Sequence, residues 1–317
     1  MPKRGCLGAS FPILIVIILI FLTLLVLGFA GGALGRSMFG DLGLSWLSVP
    51  QPHPELPAEV VFHLFGFPIT NSLIGAWITI IVLVGFSYAV TRRLKLVPGR
   101  LQSAFEALLG WLYNFCQRVA GEENGRRFFP VVATIFLFVA FNAWLSLIPG
   151  FGSVVAITGE GPVHLLRGAN TDINMPLALA LISFVFVEYF GLRSIGLRYL
   201  GKFLNFGQLF QGIGHLTRGK LRAGFGSLVI GAIDVFVGLL EALSELVRII
   251  SFTFRLFGNM TAGEVLLLIA AFLVPWLFAI PFYGLELLVG FVQALIFAGL
   301  TLVFLTLAAV AHGEGAE

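Results

Sequence analysis

Residues 225–274 read FGSLVIGAIDVFVGLLEALSELVRIISFTFRLFGNMTAGEVLLLIAAFLV, and this stretch decides how the rest of the chain is placed. It contains no proline and is helix-compatible throughout. At 1.5 Å per residue it makes a rod about 75 Å long, against about 30 Å for a bilayer's hydrocarbon core. A helix of that length must be steeply tilted, bent, or divided between interface and membrane. Pro275 and Pro281 mark a turn after it. Phe282 to about Val310 then predicts a final long helix, ending in the polar tail from His312 to Glu317.

Working outward, four more apolar runs have the length of a membrane span. Phe11 to about Gly31 follows Lys3 and Arg4 and is longer than the roughly 7–15 apolar residues of a secretory signal, so it is expected to be an uncleaved anchor. Residues 32–71 form a proline-containing connection. Further spans are expected at about Ser72–Val90, Phe128–Ile148 and Ile173–Leu192. Between the second and third, Leu101, Phe105, Leu108, Leu109, Leu112 and Phe115 recur at helical spacing beside Gln102, Glu106, Gln117 and Arg118, the pattern of a helix lying on the membrane surface. The composition agrees: 58% hydrophobic and 11% charged residues with a mean hydropathy of +1.01 exclude a soluble protein of 317 residues. The expected fold class is an all-α polytopic membrane protein with about six membrane helices.

The net charge of +3 is too small to argue for nucleic acid, and its distribution is more informative. The N-terminus, residues 92–127 and residues 193–222 carry fifteen Lys and Arg between them, whereas the opposite side has only Arg36 and Arg167. The positive-inside rule therefore places both termini in the cytoplasm and residues 32–71 outside it. Cys6 and Cys116 have no metal-ligand spacing and no disulfide pattern.

A charge near the bilayer centre costs at least ~2.5–3.5 kcal/mol. The last two helices nevertheless carry Asp234, Glu241, Glu245, Arg248, Arg255, Glu264 and Glu286, with Ser244, Ser251, Asn259 and Gln293. Glu245 and Arg248 are spaced i, i+3 for a purely structural pair. Arg255 has no such escape: its neighbours one turn away are Ser251, Phe252, Gly258 and Asn259, and a guanidinium cannot release its proton. It needs an anion from another helix or another chain. At about 100° per residue, Glu241, Arg248 and Asn259 lie within some 40° of Arg255, while Glu264 faces the opposite side about 13 Å farther along the axis. A fixed positive stripe with a protonatable carboxylate behind it is the arrangement of a proton path.

The stretch Phe254-Arg255-Leu256-Phe257-Gly258-Asn259-Met260-Thr261-Ala262-Gly263-Glu264 resembles the signature helix of subunit a of F-type ATP synthases. Glu286, Gln293-Ala294 and Ile296-Phe297 in the final helix, and Thr171-Asp172-Ile173-Asn174 before the fourth span, extend the resemblance to about residues 70–312. The resemblance implies that the last two helices form a long, strongly tilted hairpin along a rotating ring of c subunits. It implies that Arg255 attracts the ring's carboxylate and separates two offset half-channels. Glu264, Asn259 and Glu286 would line the outer half-channel, with Gln293 near Arg255. Glu241, Ser251 and Arg248 would belong to the cytoplasmic one. Glutamate at both 264 and 286 departs from the common pattern, in which one is histidine, and the N-terminal anchor departs from the usual five spans. Implied partners are the c-ring proteolipids, peripheral-stalk b subunits, the other synthase subunits and membrane lipid, in a bacterial-type plasma membrane. No cofactor is implied.

The expected division is an anchor at 1–31, an extracytoplasmic connection at 32–71 and a subunit a-like domain at 72–317. Asp172 and Asn174 are expected at the entrance to the Glu264/Glu286 path, or else Asp172 caps the fourth span. The Gly-rich Gly224-Phe225-Gly226 lacks the Lys-Ser/Thr of a phosphate loop, so the chain is not expected to be catalytic by itself. His53, His63, His164, His215 and His312 all lie outside the spans, which excludes an intramembrane hydrolase. A secondary transporter with midplane charges is the alternative; it calls for an internal repeat, and no second half resembles 241–300.

Overall fold

The computed structural model describes residues 11–40, 51–52, 57–92, 94–158, 161–196, 199, 201, 203, 207, 221–275 and 278–310. Eight α-helices appear among them: α1 Phe11–Gly31, α2 Ala33–Phe39, α3 Asn71–Thr91, α4 Arg100–Ala120, α5 Glu122–Ser146, α6 Asn174–Ile195, α7 Leu221–Leu273 and α8 Ala279–Val310. Two antiparallel hairpins interrupt the connections, β1 (Val60–Leu64) with β2 (Phe67–Thr70) and β3 (Val155–Thr158) with β4 (Gly161–His164). Six of these helices, α1, α3, α5, α6, α7 and α8, are long and apolar enough to cross a membrane. The fold is thus all-α and polytopic.

The spans fall close to the hydropathic runs, and the differences have local causes. The third begins at Glu122 rather than Phe128, because Glu122 and Glu123 suit the positive end of a helix and Gly121, at φ +80°, ends α4 where a side chain would be strained. Pro281 does not lie in the turn: it is the third residue of α8, where a missing N–H costs nothing because the first turn has no intrahelical acceptor for it. The N-cap position of α6 is Ile173, not Asp172, and no side chain caps it. The 53 residues of α7 form one unbroken helix, about 80 Å by its rise. The basic segment after α6 falls largely outside the described residues, as do Cys6, His53, His215 and the tail.

The chain divides into two compact units. Unit 1 comprises residues 1–77, 142–172 and 258–292; unit 2 comprises 78–141, 173–257 and 293–317. In unit 1 the backbone of Gly32 sits against the Leu273 carbonyl and Pro275, and Gly75 against the Arg167 carbonyl, so neither position has room for a Cβ. Trp144 donates from Nε1 to the Leu287 carbonyl at 3.1 Å and stacks on Phe291. In unit 2 the amphipathic α4 buries Leu112, Cys116 and Ala120, while Trp111 packs against Phe115 and Phe136. Phe252 of α7 meets Phe297 and Phe304 of α8 there, and Arg248, one turn earlier, lies over Phe304, so the two helices pair antiparallel. Ser183 and Thr301, both buried, share a hydrogen bond of 2.8 Å.

Large apolar side chains remain exposed along α1 from Ile13 to Val26 and along α7 from Phe225 to Phe254. Neither face has enough protein of its own to cover it, as expected of surfaces that lie against lipid or another subunit.

Candidate functional site

Unit 1 holds a cavity of about 330 Å³ whose polar lining includes Asn142, Ser146, Arg167, Asn170, Thr171, Tyr283, Glu264 and Glu286. Three stretches build it. The last turn of α5 and the turn after it give Asn142 and Ser146; the loop between β4 and α6 gives Arg167, Asn170 and Thr171; the C-terminal part of α7 and the start of α8 give the two glutamates. The carboxylates separated by 22 positions in sequence thus line one space. Glu286 is 7% exposed, and its carboxyl group lies directly over Gly263, the residue before Glu264. A Cβ at 263 would coincide with it, so the glycine makes the place the carboxylate occupies.

Glu264 is more accessible, at 39% of its side chain, and it is paired: Arg167 Nη2 stands 3.4 Å from its Oε2. The Arg167 Nε donates to Thr171 Oγ1 at 3.0 Å, and Nη1 to the Pro57 carbonyl at 3.1 Å. Asn170 is 1% exposed, and both its side-chain polar atoms lack a partner among the described residues. Its main-chain N–H donates to Asn142 Oδ1 at 3.2 Å. Buried amide groups of this kind are normally satisfied by ordered water, and a polar cavity of this volume has room for several molecules.

Asp172 lies just beside this loop but is not part of the lining. It is buried and accepts a 2.7 Å hydrogen bond from Ser72 Oγ, tying the loop to the start of α3. Next to it, Asn71 Nδ2 donates to the His164 carbonyl, and Glu59 Oε2 accepts from the His164 N–H. Asn174, in the first turn of α6, is exposed. Asn259 is exposed as well and does not line the cavity; Met260 does.

The remaining candidates belong to unit 2. Arg255 is half-buried, its guanidinium 6.0 Å from the centre of the Phe252 ring. Among the described residues no carboxylate stands within ion-pairing distance of it. Gln293 is buried, Ser251 is exposed and Glu241 is half-buried. Arg248 pairs with the buried Glu245 and lays its guanidinium over Phe304 at 3.7 Å, so the i, i+3 pair allowed by the spacing is formed. Glu188 accepts a hydrogen bond from the buried Tyr199, whose hydroxyl is pushed well above its ordinary pKa chiefly by burial and then by that carboxylate.

Sequence reasoning missed Arg167, Asn142 and Asn170. Arg167 carried a signal, being one of only two cations assigned to the outer side in a chain with several buried carboxylates. The two asparagines had none, because an amide in a connection looks solvated until the fold encloses it.

The family model described as ATP synthase A chain matches residues 73–306, most of the chain. Subunit a of the ATP synthase of Geotalea daltonii is 31% identical over 259 residues, covering 80% of this chain and 96% of that one. The chain belongs to the ATP synthase subunit a family. The Pelobacter propionicus ATP synthase subunit a 1 is 31% identical over the same length, with the same coverage. Subunit a of Moorella thermoacetica is 28% identical over 258 residues, 81% of this chain and 98% of its own. Subunit a is the proton-translocating component of the synthase membrane sector, so the protein is a multi-pass membrane component of that complex and serves proton transport coupled to ATP synthesis.

Proposed function

We propose that this subunit a is a non-catalytic proton-conducting stator with two offset half-channels serving a rotating c-ring, and that Arg255 separates them. The observation that carries the reading is the half-buried Arg255 of a long apolar helix with no carboxylate of the described chain in ion-pairing distance. A charge that cannot neutralise itself is tolerable there only if an anion comes from outside the chain. A carboxylate on a passing ring subunit is such an anion. It is held ionised while it faces the guanidinium and can be protonated once it has moved away.

The cavity with Glu264 and Glu286 supports an outer half-channel, because the connections that wall it lie on the side with few Lys and Arg. Protons would enter through water, pass by way of the two carboxylates and reach the ring. Glu241, Arg248 and Ser251, with Gln293 near Arg255, are assigned to the cytoplasmic part. Asn259, exposed on α7, is assigned to the surface facing the ring, and Asp172 and Asn174 to the outer entrance, where Asp172 acts by holding the loop to α3. Residues 1–31 serve as an anchor, 32–71 as an extracytoplasmic connection and 72–317 as the conducting domain. Both termini are cytoplasmic in a bacterial-type plasma membrane, and the partners are the c-ring, the peripheral-stalk b subunits and the rest of the synthase. The length of α7, about 80 Å, fits a helix lying strongly tilted along a ring.

Arg255→Ala tests the reading. With the complex assembled, ATP-driven proton pumping and ATP synthesis should be abolished while passive proton leak through the membrane sector persists. Arg255→Lys, a compact and strongly hydrated charge in place of a planar fork, should also fail in coupled turnover but leak less. Normal coupled synthesis in Arg255→Ala would refute the mechanism.

A further inference from the structure

The outer cavity contains two carboxylates but only one cation, and the cation belongs to a loop rather than to a membrane helix. Arg167 is 10% exposed and each of its three nitrogens donates one hydrogen bond, to Thr171, the Pro57 carbonyl and Glu264. The first two contacts fix the guanidinium plane, so its direction does not depend on the carboxylate it meets. Arginine also keeps its charge at every accessible pH. Glu286 stands differently. It has no ion pair or hydrogen bond among the described residues, and its carboxyl group rests on Gly263. Of the residues that line the cavity, Arg167, Glu264 and Glu286 are the charged ones, and Tyr283 is the other titratable group.

We propose that Arg167 is a positioning residue of the proton entrance: a fixed counter-charge that anchors Glu264 in the cavity wall and leaves Glu286 as the carboxylate that exchanges protons. The two glutamates then have unequal duties although they share one space. Glu264 is a wall group, held in place by the Arg167 guanidinium, that orders water in the cavity. Glu286, unencumbered by a cation, accepts and releases them. The buried, unpartnered amide of Asn170, three residues after Arg167 on the same loop, provides a site for water on the way. The proposal rests on the reading of Glu264 and Glu286 as the outer path.

The test is a double-substitution cycle on the whole synthase in inverted membrane vesicles, with ATP-driven acidification read as the pumping rate per assembled complex. An ion pair at this distance in a partly hydrated site is worth about fivefold in an equilibrium. Arg167→Gln should therefore slow pumping about fivefold, Arg167→Lys, which keeps the charge but not the fork, should restore part of the rate, and Arg167→Gln should have no further effect in a Glu264→Gln background. Equal slowing in both backgrounds, or a lysine variant no better than glutamine, would overturn the proposal, because a merely structural role through Thr171 and Pro57 does not depend on the charge at 264. Failure of Arg167→Gln to assemble in both backgrounds counts against it in the same way. If Glu264→Gln and Glu286→Gln each pump at the wild-type rate, the outer-path reading itself fails; if they slow pumping and the cycle is additive, only the role of Arg167 fails.

Discussion

Gly263→Ala should separate stability from transport. An added Cβ would fall on the Glu286 carboxyl group, with all three of its nearest atoms well inside the 3.0 Å that real Cβ atoms respect. Restoring ordinary contact moves the carboxyl by about 1.5 Å. The far end of a flexible side chain yields cheaply, at about 0.5–1.5 kcal/mol for a departure from its rotamer. Alanine in place of a mid-helix glycine returns up to about 1 kcal/mol. The two nearly cancel, so the thermal stability of the solubilised complex should change little. Transport should not be spared: a reacting group misplaced by 1 Å can lose up to about a hundredfold in rate, and intervening water softens this to about tenfold. ATP-driven acidification of inverted vesicles measures the loss. Glu286→Asp, one methylene shorter, should recover part of the rate in the Gly263→Ala background although it slows the parent protein. Wild-type pumping in Gly263→Ala, or no recovery with aspartate, would refute the assignment of that carboxylate to the path.

Asp172→Ala removes the acceptor of the buried Ser72 hydrogen bond and should cost about 1.5–3 kcal/mol, read as earlier thermal disassembly of the complex; unchanged stability together with unchanged proton uptake would remove Asp172 from the entrance. Glu245→Ala leaves the half-buried Arg248 without its partner and should cost up to about 3 kcal/mol, less what the Phe304 face retains, whereas Glu245→Leu with Arg248→Met should recover most of the loss; the assembled fraction after detergent extraction distinguishes the two. Burial pushes the Cys116 thiol up to about 11, so it stays protonated at neutral pH; in a Cys6→Ser background a maleimide should label it only after denaturation, or as the pH is raised toward that value.

The spans were legible because lipid enforces a simple rule: an apolar run near 20 residues long, with flanking cations, marks a helix whatever its neighbours. That rule set α1 and α3 to within a residue and exposed the excess length of α7. It had no hold on the connections, where β1–β2 and β3–β4 form by local pairing and where proline at Pro281 could be read as a turn or as the first turn of a helix. The candidate site was legible where a residue's cost betrayed it. Arg255, Glu264 and Glu286 stood out because a charge in an apolar helix is expensive. Arg167 and Asn170 did not, because polar residues in a loop carry no visible cost until three stretches distant in sequence close around them. Asp172 illustrates the remaining ambiguity: its position before α6 fitted both a cap and an entrance, and the fold gives it a third occupation, the bond to Ser72.

Three arginines among the described residues, Arg167, Arg248 and Arg255, are treated in two ways, and the contrast bears on the proposed mechanism. Arg248 has Glu245 one turn away and the Phe304 ring beneath it; Arg167 has Glu264, Thr171 and the Pro57 carbonyl. Each is satisfied by the chain's own groups, as a charge with a permanent position needs to be. Arg255 has the Phe252 ring, its centre 6.0 Å away, and, among the described residues, no carboxylate in ion-pairing distance. Had it been a structural cation, a glutamate one turn away would have sufficed, as at 245 and 248. Such a partner would also have neutralised the charge and left it with nothing to offer a moving carboxylate. Under the proposed function, the cost of leaving Arg255 unmatched is met by a partner that arrives and departs. Among the described residues Arg167 and Arg248 are each paired with a glutamate of the chain and Arg255 is not, which is the pattern that the proposed role of Arg255 against another subunit requires.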